Sequence, residues 1–297
     1  MRRYVDLGLG HVFMPSVLVT GGAGFIGTHL CAKLHSSGHH VISLDLNHKN
    51  TQPWECLTAD IRDELALEGI DYIIHLAAQV SVTQSIINPD ETLSINVDGT
   101  SSIISAAEES GVKRILFASS AAVYGDSDQI PTTEGAPLIP QSPYAVSKIV
   151  GEELLKRTEI ETCAMRFFNV YGSNNGLQSN YAAVIPAFRN AIENSLPLTV
   201  YGDGTQVRDF IHVEDLVEII IRLMEMESIP SELNVATGRG TNLLELTELL
   251  TASYEGDYEI QYEEAREGDI HTSIADISML RKHMPEFEFT SLSEGIN

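Results

Sequence analysis

The sequence predicts an α/β protein built on a doubly wound parallel sheet, with a smaller α/β substrate-binding domain in its C-terminal part. Two observations support this fold. Short runs of branched apolar residues, typical of strands buried on both faces, alternate with helical patterns through the first half of the chain. The first such run, Val17–Val19, passes directly into the glycine-rich segment Thr20–Gly27, which opens a helical pattern.

The glycine-rich segment is the strongest functional signal in the sequence. Gly21, Gly24 and Gly27 lie between the strand and the helix. Glycine lets the backbone turn sharply and approach a pyrophosphate, and the helix N-terminus offers free N–H groups to phosphate. Asp45 closes the second predicted strand 18 residues after Gly27, where an acid accepts hydrogen bonds from ribose hydroxyls and repels a 2′-phosphate. The pattern predicts a Rossmann site for NAD rather than NADP; a glycine-rich turn without a ligand is the weaker alternative.

Composition excludes several classes of partner. Acidic residues outnumber basic ones 42 to 18, and the net charge of -24 argues against nucleic acid and anionic membrane surfaces. Cys31, Cys56 and Cys163 are scattered without metal-ligand spacing, so we expect no metal site, no disulfide framework and a cytoplasmic location. No apolar run approaches the roughly 18 residues of a membrane span.

Further cofactor contacts are predicted where later strands end. Asp60 and Ile61 follow the third predicted strand, Trp54–Ala59. Asp60 is suited to accept from an adenine amino group while Ile61 packs on the ring, although a helix N-cap role for Asp60 is equally open. The fourth predicted strand, Tyr72–Ala78, runs into small residues, as expected where backbone approaches a cofactor. Its His75 is expected to be packed rather than catalytic.

Three residues form a predicted catalytic group. The fifth predicted strand delivers Ser120, and Ser142 with Pro143 is a typical start for a helix that carries Tyr144 and Lys148 one turn apart. A tyrosine with a pKa near ~10 is a poor base, but a neighbouring ammonium and an oxidised nicotinamide favour the phenolate. A lone Tyr-x-x-x-Lys is usually a surface pair, and its place after a nucleotide fold and a strand-end serine reverses that reading. Tyr144 is therefore predicted to be the general base and acid.

Through these and three further motifs, the chain resembles the extended short-chain dehydrogenase/reductase family and, within it, the nucleotide-sugar epimerases. The resemblance runs from about residue 16 to the C-terminus. Its motifs are TGGAGFIG at 20–27, YAVSK at 144–148, RFFNVYG at 166–172, VYGDGTQVRDFIHV at 200–213 and REGD at 266–269. It implies 4-epimerisation of a UDP-sugar through a transient 4-keto intermediate, with NAD as cofactor.

The resemblance also implies which residues bind the two ligands. Lys148 would lower the phenol pKa and bind the nicotinamide ribose, and Ser120 would hydrogen-bond the sugar 4-oxygen. The other implied cofactor residues are Phe25, Ile26, Asn47, Leu76, Ala77, Ala78, Gln79, Asn96, Ser119 and Phe168. The implied substrate residues are Asn169 and Arg208 at the diphosphate, Arg266 and Asp269 at phosphate and ribose, and Val184, Tyr201 and Ser273.

The chain departs from the family pattern at two cofactor positions. Val80 stands where many hexose epimerases carry a lysine that reaches the cofactor. Ile95 stands where some relatives carry a cofactor-binding asparagine, and the adjacent Asn96 is a weak substitute.

Substrate scope is implied by one position. In the family, the residue four places after the Asp of the REGD motif lies beside the sugar C2 substituent, and a tyrosine there excludes N-acetyl groups. Ser273 occupies that position. The resemblance therefore implies that UDP-GlcNAc/UDP-GalNAc is turned over together with UDP-Glc/UDP-Gal.

Other functions are open at this stage. A 4,6-dehydratase or decarboxylase of the family carries acids directly after the strand-end serine, where this chain has Ala121 and Ala122. A reductase normally prefers NADPH, which Asp45 disfavours. A non-catalytic NAD-binding regulator usually loses Tyr or Lys from the catalytic helix.

The expected organisation has three parts. Residues 14–168 with about 209–237 are expected to form the NAD-binding domain, and 169–208 with about 238–297 the sugar-nucleotide domain. Residues 1–13 are expected to be a loose extension, and the end at Gly295–Asn297 suggests a truncated reading frame.

A homodimer is expected through two helices of each subunit. The first candidate is the segment Pro89–Gly111, and the second begins at Tyr144. The second helix is predicted to pack inward through Val146, Ile149, Val150 and Leu154.

Overall fold

The computed structural model describes residues 4–6, 11–48, 51–173, 184–252, 254, 258–265 and 270–296, with backbone alone at 4–6 and 11–13. The strands are β1 (Tyr4–Asp6), β2 (His11–Phe13), β3 (Ser16–Thr20), β4 (His40–Asp45), β5 (Glu55–Thr58), β6 (Tyr72–His75), β7 (Arg114–Ser120), β8 (Glu161–Phe167), β9 (Asn169–Tyr171), β10 (Leu198–Tyr201), β11 (Val207–His212), β12 (Glu232–Val235), β13 (Gly240–Asn242), β14 (Ile260–Glu263) and β15 (Thr272–Ser273). The α-helices are α1 (Phe25–Ser36), α2 (Val82–Ile87), α3 (Pro89–Leu93), α4 (Gly99–Ser110), α5 (Pro143–Leu155), α6 (Val184–Glu193), α7 (Val213–Glu225), α8 (Leu243–Thr251), α9 (Ser278–His283) and α10 (Leu292–Gly295). A π-helical turn, Ser94–Asp98, joins α3 to α4, and a 3-10 turn, Ala121–Tyr124, follows β7.

The main sheet has seven parallel strands in the order β12-β8-β7-β6-β3-β4-β5. Strand β3 pairs in parallel with β4 on one side and β6 on the other, so the chain reverses its direction of winding between β3 and β6. This order confirms the predicted doubly wound sheet. Ligands of such sheets bind beyond the carboxyl ends of the strands at this reversal, where the glycine-rich segment follows β3.

The helices that flank the sheet begin and end on residues suited to those positions. The Ser142 hydroxyl accepts from the Ala145 N–H at 3.2 Å, and Pro143 is the first residue of α5, as the sequence predicts. Helix α4 ends at Gly111, whose φ of 69° lies in the left-handed region that favours glycine. Within the described part of the chain, no helix is long and apolar enough to cross a bilayer.

The inward face of α5 differs from the prediction. Its buried residues are Ala145, Ser147, Lys148, Gly151, Glu152 and Leu155. Val146 is 39% exposed, and Ile149, Val150 and Leu154 are only partly buried. Gly151 explains the difference, because a Cβ there would lie 2.6 Å from the Phe117 ring. The helix packs closely on β7 through small and polar residues. The predicted inward packing was wrong for Val146, whereas Leu154 packs against the apolar core of the first unit.

Two compact units divide the chain. The first comprises residues 1–123, 142–166 and 217–233, and the second comprises 124–141, 167–216 and 234–297. Each has an apolar core of its own: the first includes Leu18, Ile73, Ile103 and Ile115, and the second includes Phe188, Leu198, Phe210 and Leu246.

One buried carboxylate joins β11 to the segment before β13 and to the segment after β15. In this unit β11 pairs in parallel with β9 and β15 and antiparallel with β13, and β10 pairs with β14. Asp209 of β11 is fully buried and accepts from the backbone N–H groups of Thr237 and Gly238 (both 2.9 Å) and of Ala275 (3.3 Å). Burial raises the pKa of Asp209, and these donors act in the opposite direction.

Candidate active site

The glycine-rich segment forms a tight turn between β3 and α1. Gly21 has φ 69°, and a Cβ there would lie 2.8 Å from the Ala77 backbone nitrogen. A Cβ at Gly27 would lie 2.2 Å from the Gly21 carbonyl oxygen, so the first turn of α1 sits directly on the loop. Gly24 caps α1 without a side-chain hydrogen bond, and the first turn of the helix has no acidic residue. The N–H groups of this turn are therefore suited to bind phosphate.

Asp45 lies beside this turn, as the predicted strand boundary requires. It is the last residue of β4 and is partly exposed. Its carboxylate accepts from the N–H of Ala23 at 3.1 Å and from the N–H of Asn47 at 3.2 Å. These two hydrogen bonds orient the carboxylate next to the glycine-rich turn and leave acceptor capacity for ribose hydroxyls.

Asp60 has a close partner that the sequence analysis did not anticipate. Arg62 donates to both carboxylate oxygens, from Nε to Oδ1 at 3.0 Å and from Nη2 to Oδ2 at 2.6 Å. The bonds from Arg62 hold the pKa of Asp60 below its usual value. Ile61 is buried and approaches the Gly99 position of α4, where a Cβ would lie 2.5 Å from its Cδ1. Part of the Ile61 side chain that was predicted to meet an adenine ring thus packs on α4.

A chain of buried hydrogen bonds links the carboxyl ends of β3 and β6. The Ala77 N–H donates to the Thr20 hydroxyl (3.2 Å), which lies 2.7 Å from His75 Nδ1. His75 Nε2 lies 3.0 Å from the Thr100 hydroxyl, which donates to the Asn96 carbonyl at 2.6 Å. Burial lowers the pKa of His75 to about 3, so the ring is neutral. Both ring nitrogens form hydrogen bonds with buried threonine hydroxyls.

Asn96 is fully engaged by protein groups. Its Oδ1 accepts from the Gln79 N–H at 2.7 Å, and its Nδ2 donates to the Gln79 carbonyl at 3.0 Å and to the Ser147 hydroxyl at 2.9 Å. The Ser147 hydroxyl in turn donates to the Tyr144 carbonyl at 2.7 Å. Asn96 therefore joins the loop after β6 to the start of α5. The π-helical turn at 94–98 carries this residue, and π-turns occur frequently at functional sites.

The three predicted catalytic residues all lie in the first unit. Ser120 ends β7 and is partly exposed, and its hydroxyl accepts from the Ala122 N–H at 3.2 Å. Lys148 is buried and donates to the Ala118 carbonyl at 2.8 Å. Its Nζ lies 5.7 Å from the centre of the Tyr144 ring and 4.9 Å from that of Phe117. Burial lowers the pKa of Lys148 from 10.5 to about 7, and the Glu152 charge opposes this shift.

An acid next to this group was missed by the sequence analysis. Glu152 lies one turn after Lys148 on α5 and is 1% exposed. It accepts from the Ser119 hydroxyl at 2.5 Å and forms two hydrogen bonds with Arg166 of β8, at 3.0 and 2.7 Å. The i, i+4 spacing from Lys148 is the only sequence signal that pointed to it.

Three predicted substrate residues of the second unit, Asn169, Arg208 and Ser273, lie on short strands. Arg208 of β11 is the register partner of Ser273 of β15. The predicted phosphate-binding Arg208 therefore lies beside Ser273, the predicted gate position, where a tyrosine would exclude an N-acetyl group. Asn169 of β9 is exposed and pairs with Phe210. The Phe168 ring is buried, and its centre is 6.4 Å from that of Tyr124.

The structure describes two of the four remaining predicted substrate residues. Tyr201 ends β10, and Val184 begins α6; both are partly buried. Arg266 and Asp269 lie outside the described residues.

The residues of the first unit fit NAD. The uncapped N-terminus of α1 and the close-packed glycines suit a pyrophosphate, and Asp45 suits a ribose. In addition, Gln79 lies in the loop after β6, and its Oε1 is buried with no hydrogen-bond partner among the described residues. A buried acceptor without a partner is costly unless a ligand donates to it.

Comparisons with known proteins agree with this geometry. The sequence profile of the NAD dependent epimerase/dehydratase family matches residues 17–236. The UDP-glucose 4-epimerase of Mycolicibacterium smegmatis is 32% identical, over 94% of this chain and 95% of that protein. The solved UDP-N-acetylglucosamine 4-epimerase of Methanobrevibacter ruminantium, in complex with UDP-N-acetylmuramic acid, superposes with a TM-score of 0.88 at 34% identity, covering 95% of this chain and 96% of that one. An NAD-dependent NDP-hexosamine 5,6-dehydratase of tunicamycin biosynthesis superposes with a TM-score of 0.86 at 31% identity, covering 95% of both chains.

The sheet, the glycine-rich turn and the Tyr-Lys helix define an extended short-chain dehydrogenase/reductase. More narrowly, the chain belongs to the NAD dependent epimerase/dehydratase family, whose cofactor is NAD. The resemblance stated from the sequence motifs is thereby confirmed, and UDP-glucose 4-epimerases are among its relatives.

Proposed function

We propose that this protein is an NAD-dependent UDP-sugar 4-epimerase that interconverts UDP-Glc with UDP-Gal and UDP-GlcNAc with UDP-GalNAc. The observation that carries the proposal is the catalytic helix: Tyr144 and Lys148 share one helix, and the lysine is buried and anchored on the Ala118 carbonyl at 2.8 Å. Such an arrangement suits proton transfer at a sugar hydroxyl next to a hydride acceptor.

Each catalytic residue has a defined task in this proposal. NAD, when bound, would supply the acceptor for the hydride of sugar C4 and, once reduced, the donor that restores C4 of the 4-keto sugar with inverted configuration. Tyr144 takes the proton of the 4-hydroxyl as the carbonyl forms and gives it back at the end. Lys148 in its ammonium form lowers the cost of the Tyr144 phenolate, and Ser120 donates a hydrogen bond to the 4-oxygen.

The two units divide the ligands in this proposal. The first unit holds NAD through the glycine-rich turn, Asp45 and Gln79, while Asn96 positions the Gln79 backbone. The second unit binds the sugar nucleotide, with Arg208 at the diphosphate. The small side chain of Ser273 leaves room for a 2-acetamido group. A pocket with extra room discriminates only weakly against a sugar with the smaller 2-hydroxyl.

The dehydratase alternative has specific support, because a 5,6-dehydratase is among the structural neighbours. Dehydration of a hexose needs an acid and a base besides the redox pair. The two residues that follow Ser120 are Ala121 and Ala122, which offer neither. Epimerisation, which needs a single proton acceptor, is the better match to these side chains.

We also propose a cytoplasmic homodimer. Support comes from the outer face of α5, where Val146 is 39% exposed and Ile149 and Val150 are partly buried. Apolar residues on the face opposite the core suit a helix-to-helix interface. Light scattering at micromolar concentration is expected to give twice the chain mass of 32.5 kDa.

The function is tested by assays without added cofactor. The purified protein is incubated with UDP-Glc and, separately, with UDP-GlcNAc, and the products are separated by chromatography. We expect the 4-epimer of each sugar and no 4-keto-6-deoxy product. Formation of an unsaturated or deoxy sugar would favour the dehydratase, and the absence of any product would refute the proposal.

A further inference from the structure

One buried acid of the first unit has no part in the proposed reaction and yet touches the strand end that carries the catalytic serine. Glu152 receives the Ser119 hydroxyl at 2.5 Å, and Ser119 precedes Ser120 directly in β7. Its two oxygens also receive the guanidinium of Arg166, from Nε at 3.0 Å and from Nη2 at 2.7 Å. Glu152 thus joins three elements: α5, β7 and β8.

Burial makes this cluster costly as a purely structural device. Glu152 and Arg166 are 1% and 3% exposed. Replacing a buried ion pair by apolar residues is often neutral or stabilising, because desolvation offsets the attraction between the charges. A buried pair is therefore weak evidence for a role in stability. Its position beside Ser119 and one helical turn after Lys148 points to a role in the site.

The charges around Lys148 support such a role. The groups that face its ammonium are Glu152 and Tyr144 on its own helix and His75 on β6. His75 is neutral because burial lowers its pKa to about 3. Glu152 is therefore the group that raises the pKa of Lys148 against the effect of burial. Arg166 balances part of the Glu152 charge.

We propose that Glu152 is a positioning residue of the catalytic site: its carboxylate fastens the Ser119–Ser120 end of β7 to α5 and, together with Arg166, sets the charge that Lys148 faces from the interior. This inference deepens the proposed epimerase function and rests on it for the meaning of the site. It assigns to Glu152 no contact with the sugar or the cofactor.

The charge is tested by titrating Lys148 directly in the protein. The chain has six lysines, so ¹³Cε-lysine labelling gives a small set of signals, and Lys148→Met assigns the one of interest. In Glu152→Gln the attraction between the carboxylate and the Lys148 ammonium is lost, so Lys148 should titrate at least about one pH unit lower. In Arg166→Met the Glu152 charge is uncompensated, and Lys148 should titrate higher. The double variant should titrate close to the wild type.

A matched control lies next to Glu152 on the same helix. Glu153 is exposed and pairs with Lys156 at 2.8 Å. Glu153→Gln should leave the Lys148 titration where it is in the wild type. A structural role for Glu152 would lower stability without moving the Lys148 titration in opposite directions in the two single variants. Shifts in the same direction, or no shift, would overturn the charge part of the proposal.

The tether is tested by Ser119→Ala, which removes the hydroxyl donor and no charge. We expect the Lys148 titration to stay unchanged while kcat falls by about tenfold to 100-fold with a smaller change in KM, because misplacement of catalytic groups affects the reacting geometry. An unchanged kcat would overturn the tether. If one single charge variant does not fold, the direction of the Lys148 shift in the other still decides the charge part, and Ser119→Ala decides the tether.

The epimerase proposal and the role of Glu152 can be refuted independently. If the variants show the predicted shifts in the Lys148 titration but the wild-type protein turns over no UDP-sugar, the epimerase proposal is refuted and the role of Glu152 at Lys148 stands. Active wild-type enzyme with an unmoved titration in Glu152→Gln would refute the role of Glu152 alone.

Discussion

The two units of the chain hold their predicted functional residues in different ways. In the first, polar side chains of α5 and of the π-helical turn at 94–98 are buried and paired: Asn96 uses both donors of its amide, and Lys148 and Glu152 are almost fully buried. In the second, Asn169 is exposed, and Arg208 and Ser273 lie on short, partly exposed strands.

Under the proposed function, this contrast matches the task of each unit. Hydride and proton transfer require groups held to within a fraction of an ångström, which buried and fully bonded side chains provide. Recognition of one sugar among several depends on a few side chains at an accessible surface, where substitution has little effect on the core. We therefore expect variants in the first unit to change the rate for all substrates and variants in the second to change the choice of substrate.

The largest effect is expected from Tyr144→Phe. The variant removes the proton acceptor but preserves the ring, so kcat should fall by about 10³-fold with both sugar pairs. The NAD released on denaturation should match that of the wild type. Turnover within about tenfold of the wild type would show that another group moves the proton, and would break the division of labour between the units.

Ser273→Tyr should change substrate choice. A tyrosine ring beside the C2 position should lower kcat/KM for UDP-GlcNAc by about 100-fold while the value for UDP-Glc changes severalfold at most. Thr272→Tyr is the matched control, because adjacent residues of a strand face opposite sides. That control should leave the ratio of the two activities unchanged. Equal losses on both sugars in Ser273→Tyr would refute the gate.

Asp45→Ser should change which cofactor the protein binds without changing which sugars it turns over. Loss of the carboxylate removes an acceptor for ribose hydroxyls and a charge that repels a 2′-phosphate, so NAD affinity should fall about tenfold and NADP should be tolerated. Mass spectrometry of nucleotide released from the purified variant measures this. A wild-type protein that carries NADP would contradict the role of Asp45.

The smallest effect concerns stability in acid and the buried His75. The pKa of His75 is about 3 in the folded chain against 6.5 as its ordinary value, so the unfolded chain binds more protons below pH 6.5. Stability from this residue is present above pH 6.5 and is lost as the pH falls toward 3, by about 2 kcal/mol at pH 5. Urea unfolding at pH 7 and 5 should show a smaller loss in His75→Gln. An equal loss in both proteins would contradict a neutral, buried His75.

Much of the first unit could be predicted from the sequence. The succession of strands β3 to β7 along the chain, the turn at Gly21–Gly27 and the start of α5 at Ser142 follow from local patterns, namely branched apolar runs, glycine spacing and a Ser-Pro cap. Such patterns describe the chain over a few residues, where sequence carries the most information.

The buried polar contacts could not be predicted in the same way. Glu152, Ser119 and Arg166 are far apart in sequence, and their contact depends on how α5 packs on β7 and β8. The face of α5 was assigned by apolar content, and the assignment was only partly right because Gly151 brings the helix against Phe117. The roles given to Asn169, Arg208 and Ser273 came from family resemblance, since isolated polar residues on strands have no period that marks them as ligands.

The central claim, a hydride that leaves and returns to the same carbon, is tested most directly with UDP-glucose deuterated at C4. The enzyme is incubated in ordinary water without added NAD until equilibrium, and the UDP-galactose formed is examined by mass spectrometry and NMR. The account predicts that the product keeps its deuterium at C4. Replacement of that deuterium by solvent hydrogen would mean that C4 loses a proton rather than a hydride, and would contradict the proposed chemistry.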